Sequence, residues 1–136
     1  MVLVEAKSLT NGGDSLSSIY KLEDNELVSV GDLVALNQAT SEVHIATIKD
    51  RKKVLGVCVD VMPDGEIVVC NEGIVNVNVV GEICLGDHIS ISDIPGKAKA
   101  IRYDIQEEQQ FDVRSIGKVI GLTDVYSIAR VLLNVK

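Results

Sequence analysis

Aromatic residues are scarce in this chain: one Phe, three Tyr and no Trp among 136 residues. A surface that stacks bases or sugars is built from such rings, so a nucleic-acid or carbohydrate groove is poorly supplied. Cysteines number three, Cys58, Cys70 and Cys84, an odd count with no CxxC pair. No His or Cys neighbour stands at zinc-ligand spacing. Cys58 and Cys70 lie in apolar strand-like runs, where buried free thiols are expected. No stretch reaches the roughly 18 apolar residues of a membrane span. The start, Met1 to Lys7, carries no basic leader. A soluble product made in the cytoplasm, with no membrane partner, is the expectation. GxxxxGK[ST] and GxGxxG are both missing, so no phosphate cradle and no nucleotide cofactor is indicated.

Positive charge is also short. The formal net charge is -7. The only dense basic run is Lys49, Arg51, Lys52 and Lys53, and Asp50 interrupts it. A phosphate backbone needs a broader patch, so the run reads as a solvated turn and no nucleic-acid partner is expected.

What is abundant is β-branched aliphatic residue. The chain has 21 Val and 14 Ile against 12 Leu and 7 Ala. Such side chains are stiff at χ1 and pack well on a pleated surface. The pattern predicts an all-β protein, a small barrel or roll of antiparallel strands with an N-terminal arm. Residues 1–26 read as the arm or an edge hairpin, broken by the turn cluster Asn11-Gly12-Gly13-Asp14-Ser15. Residues 27–136 read as the barrel-like body. Strands are expected at Leu27 to Val30, Leu33 to Leu36, Glu42 to Ile48, Val54 to Val61, Glu66 to Cys70 and Gly73 to Val80. Others are expected at Ile83 to Leu85, Ile89 to Ser92, Ala98 to Tyr103, Ser115 to Leu122 and Ser127 to Val135. Val57, Val59 and Val61 alternate on one face, as do Val75, Val77 and Val79. Asp104 to Gln110 is polar and reads as an exposed loop.

The body carries an internal pseudo-repeat. Val30-Gly31-Asp32-Leu33-Val34-Ala35-Leu36 matches Leu85-Gly86-Asp87-His88-Ile89-Ser90-Ile91. Leu55-Gly56-Val57-Cys58-Val59 later matches Ile116-Gly117-Lys118-Val119-Ile120. The offset is 55 at the Gly-Asp pairs and 61 at the later glycines. Gly31 and Gly86 supply a conformation closed to other residues, and Asp32 and Asp87 bond their local backbone, giving a tight entry into a strand. Gly56 and Gly117 suggest a bulge or a barrel corner. Two such half-units closing on one another make a small barrel.

Chemistry is harder to find. His44 sits on a strand face and His88 follows a turn, and neither stands in a nucleophile–base pattern. Asp60, Asp64, Glu66 and Glu72 lack calcium-loop spacing and read as solvated charges. No catalytic residue, metal or cofactor is expected, and the chain is expected not to be an enzyme.

The order of elements from Val30 to Val135 resembles that of tailed-bacteriophage structural β-proteins. The motifs are Gly31-Asp32, Leu55-Gly56-Val57, Gly73-Ile74-Val75-Asn76-Val77, Leu85-Gly86-Asp87, Pro95-Gly96-Lys97-Ala98, Ile116-Gly117-Lys118-Val119 and Val131-Leu132-Leu133-Asn134-Val135. These motifs resemble both capsid decoration (cement) proteins and the β-rich C-terminal domains of tail fibres. The resemblance implies a non-enzymatic virion protein, seated on the major capsid protein or another virion protein, as a homo-trimer. The alternative it implies is a tail-fibre or baseplate domain in host attachment, or a self-cleaving fibre end. The start at Met1 and the lack of stalk repeats favour decoration. Met1, Val2, Leu3 and Val4 are the expected assembly residues, adding as a strand to a neighbour.

Overall fold

The computed structural model describes residues 2–7, 14–101 and 114–135. The described residues form ten strands: β1 (Val2–Lys7), β2 (Asp14–Lys21), β3 (Leu33–Asn37), β4 (Glu42–Ile45), β5 (Val54–Val61), β6 (Glu66–Asn78), β7 (His88–Ile91), β8 (Ala98–Ala100), β9 (Gly117–Leu122) and β10 (Ile128–Asn134). Among the described residues the only helical element is a 3-10 turn, Ile48–Asp50. The protein is all-β, and every strand pair is antiparallel. The sheet runs β4-β3-β5-β6-β10-β9-β7-β8, with β2 added to β6 and β1 to β2. The loop expected at Asp104 to Gln110 and the cluster Asn11-Gly12-Gly13 lie outside the described residues.

Four expectations differ in detail. Leu27 to Val30 is not a strand; its end is folded into the turn closed by Asp32 N–H to the Ser29 carbonyl at 3.0 Å. The segments at Glu66 and Gly73 are one 13-residue strand, because Gly73, at φ 130, turns the backbone without ending the ladder. Ile83 to Leu85 is not a strand; Cys84 and Leu85 open the turn closed by Asp87 N–H to the Cys84 carbonyl at 3.1 Å. Val61 does not share a face with Val57. The pairing jumps from Cys58↔Val69 to Asp60↔Val68, so Val59 is the extra residue of a β-bulge. A one-residue slip reverses the facing beyond it, and Val61 is exposed.

The chain folds as two copies of one five-stranded unit. The first is β2, β3, β4, β5 and the first half of β6. The second is the remaining half of β6 with β7, β8, β9 and β10. Val34↔Ile45, Ala35↔His44 and Leu36↔Val43 repeat as Ile89↔Ala100, Ser90↔Lys99 and Ile91↔Ala98, all displaced by 55 residues. Val34↔Gly56 repeats as Ile89↔Gly117. The bulge itself repeats, since β9 shifts register against β10 between Val119↔Val131 and Gly121↔Arg130. Each unit curls until its first and third strands meet at a single parallel bridge, Leu22↔Val43 in one and Val79↔Ala98 in the other. Because β6 ends the first unit and begins the second, the two rolls share a rod.

Burial follows this duplication. Val34, Val43, Cys58, Ile67 and Val69 form one cluster, with Tyr20, Leu22 and Leu36 packed against it. Their counterparts in the second unit, Ile89, Ala98, Val119, Ala129 and Val131, form the centre of the other. That second cluster also takes in Leu33, Ala35, Ala46, Val54, Val57 and Cys70, which alternate onto the opposite face of the first unit. The first unit is thus apolar on both faces, one filling its own roll and one covered by the second unit. Each fully buried Val or Leu contributes about 1.5–3 kcal/mol over its exposed state.

Candidate functional site

The two Gly-Asp turns have the same geometry. Asp32 Oδ2 accepts the N–H of Ser29 at 3.0 Å, and Asp87 Oδ2 accepts that of Cys84 at 2.8 Å. Gly31 and Gly86 adopt φ 96 and 88, a region where a Cβ is strained. Gly31 N–H donates to the Cys58 carbonyl and Gly86 N–H to that of Val119. Gly31, Asp32, Gly86 and Asp87 are therefore strand-entry clamps, tying β3 to β5 and β7 to β9. Gly56 and Gly117 sit inside strands where the neighbouring backbone comes close. A Cβ on Gly56 would collide with the Cys70 carbonyl, and one on Gly117 would lie 2.6 Å from that of Leu132.

The surroundings of the two clamps are unlike. Asp32 is buried, and its Oδ1 accepts from Lys97 Nζ at 2.7 Å and Asn78 Nδ2 at 2.8 Å. Gly96, at the tip of the β7–β8 hairpin, slots between Leu33 and Ala46. Its carbonyl accepts Leu33 N–H at 2.8 Å, and its N–H donates to the Ala46 carbonyl at 2.8 Å. Asn78 N–H also reaches the Gly31 carbonyl, at 2.9 Å. At the second clamp Gly86 is exposed and Asp87 is half-buried. Beside it opens a cavity of about 680 Å³, lined by His88, Arg114, Ser115, Lys118, Leu132 and Asn134.

That cavity holds a serine and a histidine in contact, which sequence spacing did not reveal because 27 residues separate them. His88 Nδ1 lies 3.1 Å from Ser115 Oγ, and Ser115 Oγ donates to the Gly117 carbonyl at 3.2 Å. The hydroxyl thus lies within hydrogen-bond reach of both the ring nitrogen and that carbonyl. Among the described residues no carboxylate orients the other ring nitrogen. His44 lies between two carboxylates instead, Nδ1 at 3.0 Å from Glu23 and Nε2 at 3.4 Å from Asp50. It bridges the segment after β2 to the 3-10 turn. The described residues hold no group of three or more metal-ligating side chains.

Of the expected assembly residues, Val2, Leu3 and Val4 lie on β1, paired with Ile19, Ser18 and Ser17 of β2. Met1 lies outside the described residues. β2 is itself built into the first roll, from Leu16 to Lys21 against β6. No described strand pairs the other edge of β1. No helix of the described residues is long and apolar enough to cross a membrane. No protein-family model, curated protein or solved structure matches the chain.

Proposed function

We propose that this chain is a non-enzymatic structural protein of a tailed-bacteriophage virion. It decorates and stabilises the outside of the capsid as a homo-trimer, with the major capsid protein as its partner. The observation that carries this is the edge of β1, a six-residue strand whose one partner among the described strands is β2. An unpaired edge presents a row of N–H and C=O groups that a second chain can complete. The resemblance of the Gly-Asp and Ile-Gly motif order to decoration proteins adds to it.

The test is reconstitution. Capsids lacking this protein are incubated with the full chain and with a variant lacking residues 1–9, then sedimented. The full chain should pellet with heads. The truncated chain should keep its β-sheet circular dichroism and stay in the supernatant. Pelleting with tails alone transfers the protein to a fibre or baseplate. No pelleting with either sinks a virion role. An intact mass that splits into two fragments on standing identifies a self-cleaving fibre end.

A further inference from the structure

Among the described residues the duplication leaves one interface unmatched. In the first unit, the outward face of Leu33, Val54, Val57 and Cys70 is buried beneath the second unit. The register displaces these positions to His88, Ser115, Lys118 and Leu132, and all four line the open 680 Å³ cavity. Among the described residues nothing fills this cavity, the second unit's copy of the contact that joins the two units within the chain.

We infer that this face receives the first unit of a second copy. The β3–β4 hairpin tip, Asn37 to Glu42, enters beside β7 and β8 as the β7–β8 tip enters beside β3 and β4. The inference deepens the assembly role proposed above, and rests on it for its purpose.

Three correspondences support this occupant. The first is backbone shape. Gly96, the residue that enters the filled slot, has φ 78, and its counterpart Ser41 has φ 61, a left-handed value rare for serine. The second is volume. A Cβ on Gly96 would lie 2.8 Å from Ile45 Cδ1 and 3.0 Å from Asp32 Cγ, so the filled slot is tight against any side chain there. At the vacant slot the position of Ile45 is taken by Ala100, which removes the obstructing atoms and leaves space for the Cβ of Ser41. Side chain and space have changed together. The third is hydrogen bonding. Leu33 N–H and the Ala46 carbonyl hold Gly96, and the matching groups are His88 N–H and the Ile101 carbonyl. His88 has its carbonyl turned to Ile101 N–H, as Leu33 has to Ala46, so its N–H faces the same edge. Lys21 stands where Asn78 stands in the filled contact, on the strand that reaches the Gly-Asp turn.

The vacant face differs from the filled one in polarity, with His88, Ser115 and Lys118 in place of Leu33, Val54 and Val57. A face that must stay soluble until a partner arrives is more polar than one covered during folding. The contact joins different surfaces of the two copies, so it is heterologous, and its repetition closes a ring when the rotation permits.

Disulfide trapping tests it, in a Cys84→Ser background that removes the exposed native thiol. Ser41→Cys and Ala100→Cys are made singly and together, and each is confirmed to melt near the parent. Mixing the two single variants under mild oxidation should give a covalent dimer that neither gives alone. The double variant should give a ladder ending at the ring size. The inference is overturned if the mixture forms no dimer, or if the double variant loses both thiols at monomer mass. Ala100→Ile, which refills the slot as Ile45 does, should abolish self-association in sedimentation without lowering the melting temperature. Association unchanged by it also overturns the inference. Cross-linked copies that leave capsids bare would refute the virion role while this contact stands. Coated capsids with no cross-link would do the reverse.

Discussion

Gly117 and Gly121 share β9 and illustrate how position decides what a glycine is worth. A Cβ at 117 meets the Leu132 carbonyl at 2.6 Å and Val131 Cγ1 at 2.7 Å, both parts of a packed strand. A Cβ at 121 meets only the Arg130 side chain, at 3.3 Å, and that side chain can move aside. Gly117→Ala should therefore cost on the order of 1–3 kcal/mol through forced strand separation. Gly121→Ala should fall within about 0.5 kcal/mol of the parent. Urea midpoints of the two variants make the comparison. The cysteines separate in the same way. Burial pushes the Cys58 thiol from its ordinary 9.0 up to about 11, while Cys84 is exposed. Iodoacetamide at neutral pH should modify Cys84 alone in the folded protein, and Cys58 and Cys70 only after denaturation, as read by peptide mass. A thiol whose folded pKa is raised favours the folded state fully below its unfolded value. That contribution should fade as pH climbs from about 9 to about 11, lowering the urea midpoint across the window.

At the scale of elements, the twin bulges in β5 and β9 mark how far sequence reasoning reached. Gly31-Asp32 and Gly86-Asp87 were legible because glycine and aspartate have local, backbone-level reasons to be there. The alternation of Val75, Val77 and Val79 was legible because it runs through an unbroken ladder, and all three are buried. Val61 misled because a bulge is set by the neighbouring strand, not by the residues that form it, while Val59 keeps to the cluster of Val57. The membership of β2 in the first unit was hidden too. Ser18, Tyr20 and Leu22 occupy the positions of Val75, Val77 and Val79 but share only the alternation with them. Nor does composition reveal the Gly96 slot or the Ser115–His88 pair, since both join residues brought together by closure of the rolls.

For the molecule as a whole, the shared β6 couples the two units. Its first half is paired on one side by β2 and on the other by β5, and its second half carries β10. The face of the first unit is also covered only when the second is in place. Neither roll keeps its core if the other opens. Calorimetry should show one transition, with van't Hoff and calorimetric enthalpies equal, and two separable peaks would disprove the coupling.

The same rod sets a schedule during synthesis. β2 leaves the ribosome early, yet the strand that closes its roll begins only at Glu66. Up to that moment the nascent chain is a set of open edges. Once β6 is out, its trailing half is already extended and aligned, so the second unit has a template that the first never had. The apolar face of Leu33, Val57 and Cys70 nevertheless stays bare until β10 is made, which is the interval in which the unfinished chain is most exposed to aggregation.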